Sequence, residues 1–371
     1  MSLHPSSSDG EIVVVTGAAG FLGLKIVELL NTRGVNIQEI RGLDICHSEP
    51  SFFLQNAQGG KLSYMRADIC NYEEVRAVLR NASVVIHTAA IVDVNLPSGT
   101  AMNAVNVKGT EHVIKACLEC NVARLVYTST ADVALGWSDN YNLNEATPPP
   151  GDKVSDYLFG LYAFTKMQAE KKVLEANGSP LANDAVLATC SLRSLVMYGE
   201  GDQAFIPSVI NSAKNQFGYL PRMGNARAKF HTCYVGNTAW AHVLAVDVLR
   251  KNPKLIAGKA FFIGDNTPEC NFFDLVEPYL SATGCKLLNI SIPYVIIFFI
   301  AVILEFITWI LLPVCKLSVA LNRCSVFSVC KGYTVSWKQA RKELGYQPMF
   351  SYEESKRNTI RFLVEKFNLK N

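Results

Sequence analysis

An α/β fold, built on a doubly wound parallel sheet with helices on both faces, is what this sequence predicts, and three observations predict it. Short β-branched runs alternate with longer helical patterns through the first half of the chain. These runs are continuously apolar instead of alternating with polar residues. A glycine-rich turn joins the first run to the first helix. Parallel strands need crossover connections, and helical crossovers cover both faces of the sheet, which is why neither face of a strand is left for polar side chains.

Taken in order, "EIVVVTG" reads as the first strand, "FLGLKIVELLNTRG" as a helix and "EIRGLD" as the second strand. A third strand ends at "MRADIC", followed by the helical "EEVRAVLRN", the strand "ASVVIHTAA", the helical "AVNVKGTEHVIKACLEC" and a fifth strand "ARLVYTST". The stretch Pro148-Pro149-Pro150-Gly151 breaks the alternation. "YLFGLYAFTKMQAEKKVLEANG" then resumes it as a helix ending at Gly178, and "AVLATCSLRS" is the sixth strand. From Asp202 the pattern loosens into loops, a helix in "YVGNTAWAHVLAVDVL", a strand in "KAFFIGD" and amphipathic helices near the C-terminus. The expected division is residues 1–201 and a smaller C-terminal region, 202–371.

Nearly half the residues, 49%, are hydrophobic and 18% are charged, which excludes disorder and is apolar for a purely water-soluble protein. A net charge of +3 without a long basic block gives no reason to expect nucleic acid as a partner. Eleven cysteines are scattered through strands and helices, and "MSLHPSSSDGEIVVV" has no apolar signal core, so reduced thiols are expected. The one CxxC, Cys117 to Cys120, lies in a helical pattern without a second pair, and no metal site is expected.

Gly17, Gly20 and Gly23 in "VTGAAGFLG", with Phe21 and Leu22 between them, follow the first strand and open the first helix. In that context the glycines permit a tight turn, close approach of backbone to a pyrophosphate and close helix packing, while the helix N-terminus supplies N–H groups. Asp44 ends the second strand, where a carboxylate accepts hydrogen bonds from ribose hydroxyls. Ile45 and Cys46 offer no cation for a 2′-phosphate, so the expected cofactor of this Rossmann-type sheet is NAD. Asp68 would sit beside the adenine or cap a helix.

Tyr162 and Lys166 lie four apart and share a helix face. The fifth strand ends in Thr128, Ser129 and Thr130, which could bring a hydroxyl to the mouth of the cofactor cleft. A phenol of ordinary pKa near 10 is a poor base, but a lysine cation and an oxidised nicotinamide both favour its phenolate. Tyr162 would then take the proton of a substrate alcohol as hydride leaves its carbon. Lys166 would depress the phenol and hold the nicotinamide ribose, and Ser129 or Thr130 would hold the substrate oxygen.

In "VTGAAGFLG", "VVIHTAAIVDV", "NVKGTEHVIKAC", "LVYTSTADV", "YAFTK", "YGEGD" and "YVGNTAWAHVLA" the chain resembles the extended short-chain dehydrogenase/reductases, and within them the 3β-hydroxysteroid dehydrogenase/Δ5-Δ4 isomerase family, over essentially its whole length. The sterol 3-dehydrogenases of C4-demethylation share most of these motifs. The resemblance implies Tyr162 as proton acceptor, Lys166 as cofactor-binding lysine and Thr130 at the catalytic Ser/Thr position. The family often has serine at Thr130, which keeps Ser129 in view, and a proline where Ser194 follows Arg193. Asp132 stands where the steroid family has an acidic residue, either to relay a proton between allylic carbons or to bond its own loop.

"IPYVIIFFIAVILEFITWILLPVC", Ile292 to Cys315, has the length of a bilayer crossing. Glu305 falls near its middle, Pro293 and Pro313 bracket it, and "KQARKELGYQP" beyond it packs on the soluble body in the family it resembles. A single crossing would strand that segment on the wrong side, and Lys316 and Arg323 make "LSVALNRCSVFSVC" a poor second span. The expectation is a helix lying in the interface, with spanning as the alternative. The expected protein is an NAD-dependent 3β-hydroxysteroid dehydrogenase, with or without isomerase activity, on the cytosolic face of the endoplasmic reticulum membrane. Its expected partners are a steroid or sterol substrate and membrane lipid, and a homodimer is open as its assembly. Competing readings are a decarboxylating sterol-4α-carboxylate 3-dehydrogenase, a nucleotide-sugar epimerase and a catalytically silent dinucleotide-binding scaffold.

Overall fold

The computed structural model describes residues 10–47, 50–54, 60–92, 99–138, 140–311 and 321–368. Six strands of the main sheet precede residue 195: β1 Glu11–Thr16, β2 Ile37–Asp44, β3 Lys61–Arg66, β4 Val84–His87, β5 Arg124–Thr130 and β6 Ala188–Ser194. They alternate with α1 Phe21–Arg33, α2 Tyr72–Leu79, α3 Gly99–Asn103, α4 Thr110–Glu119 and α5 Gly160–Glu175. The remaining elements are β7 Val196–Tyr198, α6 Phe205–Lys214, β8 Tyr219–Met223, β9 Thr232–Tyr234, α7 Val235–Lys251 and β10 Lys259–Ile263. They are followed by α8 Phe272–Ala282, β11 Lys286–Ile292, α9 Tyr294–Leu311, α10 Arg323–Lys331, α11 Lys338–Glu343 and α12 Tyr352–Asn368.

The main sheet runs β10-β6-β5-β4-β1-β2-β3 and every pairing in it is parallel. Strand order reverses between β1 and β4, which opens a crevice at the carboxyl ends of the strands. The strands explain their composition: all four residues of β4 and all seven of β5 are buried. One face is covered by α1 and α7, which pack on each other. The other is covered by α2, α4 and α5, whose Val75, Val113 and Ala169 share a second apolar core. The last strand of the sheet, β10, comes from the C-terminal region.

Two helices differ from the sequence reading. The stretch from Ala104 forms a π-helical turn, Ala104–Gly109, before α4 begins, and α3 precedes it. The helix read from Tyr157 starts at Gly160, and Tyr157 instead buries its ring and donates its hydroxyl to the Gly151 carbonyl, 3.0 Å.

After α9 the chain returns to the body. In α10, Phe327 is buried in the main core and meets Trp137 edge-on. The α11 helix lies against β10, with Lys259 paired to Glu343 at 2.7 Å. The residues "KQARKELGYQP" therefore pack on the sheet, with Ala340 and Tyr346 fully buried.

The site's helix, α5, is tied to β6 by a buried ion pair. Glu170 accepts from Arg193 Nη2 at 2.7 Å, from its Nε at 3.1 Å, and from Ser191 Oγ at 2.9 Å. Replacing Glu170 by Ala strands the guanidinium and is expected to cost about 3–5 kcal/mol, read as the urea midpoint of the variant against wild type.

Candidate active site

The crevice is a cleft of about 620 Å³, and the residues predicted for the two halves of the site line it together. Gly17, Gly20, Phe21, Leu22 and Gly23 form its floor, Asp44 and Asp68 one end, and Ser129, Thr130, Asp132, Tyr162 and Lys166 the other. The turn after β1 needs its glycines for physical reasons. Gly17 has φ +69°, and a Cβ on Gly23 would stand 2.0 Å from the Gly17 carbonyl oxygen. With no side chain there, α1 starts close against the turn and presents its N-terminus to the cleft.

Asp44 is already oriented. Its Oδ2 accepts from Ala19 N of the glycine turn at 2.9 Å and its Oδ1 from Cys46 N at 3.2 Å, leaving lone pairs on both oxygens for ribose hydroxyls. Sequence reasoning found no cation beside it, but β3 brings one. Arg66 is paired in register with Asp44 and its Nε reaches the Ile45 carbonyl at 3.4 Å. The neighbour came from strand pairing, which sequence adjacency does not show. Asp68 both lines the cleft and caps its own turn, accepting from Cys70 N at 2.8 Å.

At the catalytic end Lys166 is almost wholly buried, 3% exposed. Its Nζ donates to the Thr128 carbonyl at 2.7 Å and lies 4.3 Å from the Tyr127 ring centroid. Burial pushes its pKa down to about 7, with the Glu170 carboxylate pulling the other way. Burial, and then the negative charge of Asp132, push the Tyr162 phenol above its ordinary value, while a hydrogen bond with Thr130 opposes them. Burial likewise raises Asp132 to about 6 against its bond with Thr130. The chain's own groups thus keep Tyr162 protonated near neutrality, so the phenolate needs further positive charge beside it.

Thr130, not Ser129, carries the hydroxyl that meets Tyr162. Its Oγ1 also accepts from Asp132 N at 3.2 Å. Ser129 is buried and its Oγ has no partner among the described residues. The serine at 194 takes up a bond of its own, donating to the Ser129 carbonyl at 3.1 Å and joining the ends of β5 and β6.

Asn106 was missed as a site residue, although it lies inside one of the motifs read from the sequence. From the π-helical turn its Oδ1 accepts from Ile91 N at 2.8 Å, and its Nδ2 donates to Ile91 O at 3.1 Å and Thr165 Oγ1 at 3.2 Å. It thereby pins the cleft wall after β4 to α5. A polar residue of poor helix propensity in a helical run was the available signal. Asp202 was missed too: it accepts from Ala204, Phe205 and Ile206 N–H groups and fixes the start of α6 at the cleft rim. Among the described residues no cluster could hold a metal ion.

A parallel sheet with a glycine turn at its first helix, an acidic residue ending β2 and a buried Tyr/Lys pair defines a dinucleotide-dependent oxidoreductase of the short-chain type. The family model of the 3-beta hydroxysteroid dehydrogenase/isomerase family matches residues 14–294, and the chain belongs to that family. The glycine turn and the Asp44 end of the cleft fit NAD, the cofactor expected from the sequence. The solved structure of DesIV, a dTDP-glucose 4,6-dehydratase from Streptomyces venezuelae with NAD bound, is 18% identical, with 96% of this chain and 98% of that chain covered and a TM-score of 0.71. MoeE5 in complex with UDP-glucuronic acid and NAD is 22% identical over 95% of this chain and 99% of that chain, with a TM-score of 0.67. A short-chain dehydrogenase/reductase superfamily protein from Agrobacterium tumefaciens with bound NAD is 18% identical over 97% and 99%, TM-score 0.67. These likenesses show the shared fold.

Two outcomes follow. Because Lys166 is depressed from 10.5 to about 7, the unfolded chain binds more protons between those values. Its contribution to stability therefore rises with pH across that window. Lys166→Met should stabilise the NAD-free protein near pH 7 and flatten this part of the profile, read by denaturant melts from pH 6 to 10. Asp44→Ala, which keeps Arg66, should weaken NAD and raise the NADP-to-NAD affinity ratio about tenfold or more, measured by titration of each nucleotide.

Proposed function

We propose that the protein oxidises the 3β-hydroxyl of a membrane-dissolved steroid or sterol to the 3-ketone with NAD, and then moves the Δ5 double bond to Δ4. One observation carries the substrate class. The substrate end of the cleft is walled by Ile91, Val92, Leu195, Val196, Met197 and Phe205, and Lys166 is the only cation among the described residues that line it. A nucleotide-sugar diphosphate needs cationic partners, whereas a flat apolar alcohol needs this wall and one hydrogen-bonding end. The sugar-nucleotide reading loses support accordingly.

In this reading Thr130 holds the alcohol oxygen and Tyr162 takes its proton. NAD, held by the glycine turn, Asp44 and Lys166, supplies the electron-accepting nicotinamide and the positive charge that favours ionised tyrosine. Lys166 keeps two ammonium protons beyond the one on Thr128 O, available to the ribose and the phenol side of the cleft. Once the 3-ketone has formed, its allylic C4 proton is acidic enough for a carboxylate to move. Asp132, raised to about 6 and lining the cleft, suits removal of that proton and its return to C6.

The α9 helix supports membrane attachment. By length and composition it could cross a bilayer, and of its residues only Ile297 and Ala301 are buried, against Val326 and Cys330 of α10. Glu305 is not left alone on it: its carboxylate accepts from Arg323 N and Nε, both at 2.6 Å. Pro313 and Lys316 lie outside the described residues. We read α9 as lying in the cytosolic interface of the endoplasmic reticulum, with the pair at the surface and Phe299, Phe306 and Trp309 toward lipid.

Detergent-solubilised protein given NAD and a 3β-hydroxy-5-ene steroid should produce NADH and then a conjugated enone. Oxidation of a 4α-carboxysterol with loss of CO2 in its place, or of a UDP-sugar, would sink the assignment. Tyr162→Phe should lower oxidation about 10²–10⁴-fold with NAD affinity nearly unchanged. Asp132→Asn should leave NADH formation and remove the enone, and the enone-forming step of wild type should fall off below about pH 6.

A further inference from the structure

His242 has no task in the mechanism above, yet among the described residues it is one of two fully buried histidines bonded to residues of the sheet. It stands on α7, across the sheet from α5. Its Nδ1 lies 2.8 Å from the Thr238 carbonyl, one turn earlier on the same helix. A carbonyl only accepts, so Nδ1 carries the proton, and Nε2 is the bare nitrogen. Nε2 lies 2.8 Å from Thr128 Oγ1 and accepts its hydrogen. Thr128 in turn offers its carbonyl to Lys166 Nζ at 2.7 Å. A single threonine at the end of β5 therefore receives an imidazole from one side of the sheet and an ammonium from the other.

We propose that His242 is a positioning residue for Lys166: by fixing Thr128 it holds the carbonyl that aims the lysine ammonium at the nicotinamide ribose and at Tyr162. The need for such an anchor is geometric. A lysine stem has four rotatable bonds, and the contacts of its head among the described residues are with Thr128 O and the Tyr127 ring. Position of the carbonyl is then position of the charge. The backbone there is at a strand end, where pairing stops: β5 pairs β6 up to Thr130 and β4 only up to Tyr127. The Thr128 side chain supplies the lock that the missing β4 pairing does not. Burial pushes His242 down to about 4, so the neutral imidazole that can accept is the form present at working pH.

The inference rests on the reading of Lys166 as a cofactor-binding residue, and its test uses NAD binding first, so that it stands apart from the choice of substrate. NAD dissociation constants and thermal midpoints are measured for wild type, His242→Leu, His242→Gln, Thr128→Val and the double variant His242→Leu/Thr128→Val. The expected result is NAD binding weakened about tenfold by His242→Leu and by Thr128→Val, with the double variant no weaker than either. His242→Gln, whose amide oxygen can accept the same hydrogen, should recover most of the affinity. With steroid and saturating NAD, the same variants should lose kcat in the same pattern while the steroid KM stays within about twofold. Lower thermal midpoints with NAD affinity within about twofold of wild type would overturn the proposal, as would losses that simply add. If His242→Leu does not fold, the near-isosteric Thr128→Val decides it alone: unchanged NAD affinity overturns the anchor. Absence of steroid turnover in wild type would count against the substrate reading and leave the NAD-binding cycle as the judge of this one.

Discussion

A lysine ammonium buried at the end of the central strands, beside a buried phenol, is the constraint around which this molecule is organised. A charge at that depth is unfavourable unless its environment answers it. The answer here is spread over three groups on two elements: the Thr128 carbonyl at the end of β5, the Tyr127 ring beside it, and Glu170 one turn further along α5. Glu170 is itself committed to Arg193, so its help is partial, and burial still wins: Lys166 falls to about 7. The phenol beside it rises for the same reason. Neither group is set for chemistry by the chain alone. A cationic nicotinamide ring entering the same cleft would change both balances together, which would make binding of NAD and ionisation of Tyr162 one event in electrostatic terms.

The same economy appears at the apolar helix. An 18-residue apolar helix with Glu305 near its middle is awkward as a span, and the fold supplies the partner from the next helix. Arg323 gives both its backbone N–H and its guanidinium to that carboxylate, so α9 and α10 form a pair whose inner contacts are Ile297, Ala301, Val326 and Cys330. Because α10 then enters the core through Phe327 and touches Trp137, the greasy face and the loop that carries Asp132 are parts of one packed unit. A substrate taken from lipid would meet the catalytic body without crossing open water.

Much of this was legible in the sequence, and the reasons are particular. The strands could be read because parallel strands buried on both faces leave continuous apolar runs, and the glycine turn because Gly17 and Gly23 satisfy steric demands no other residue meets. Tyr162 and Lys166 could be paired because a helix repeats every 3.6 residues. What stayed hidden depended on contacts between distant segments. Arg66 reaches the ribose end through strand register, Asn106 reaches Ile91 from a π-helical turn that helical periodicity does not signal, and His242 reaches Thr128 across 114 positions of chain. The choice between Thr130 and Ser129 likewise needed three dimensions, because two adjacent hydroxyls on a strand point to opposite faces.

The measurement that tests the account most directly is the ionisation of Tyr162, followed as the ultraviolet difference spectrum between wild type and Tyr162→Phe across alkaline pH, with and without NAD. The account predicts that the phenol stays protonated well past its ordinary range in the NAD-free protein and ionises at least about one unit lower when NAD is bound. A phenol that titrates at the same pH in both states would contradict it, since the coupling between cofactor charge and the Tyr162 phenol would then be absent.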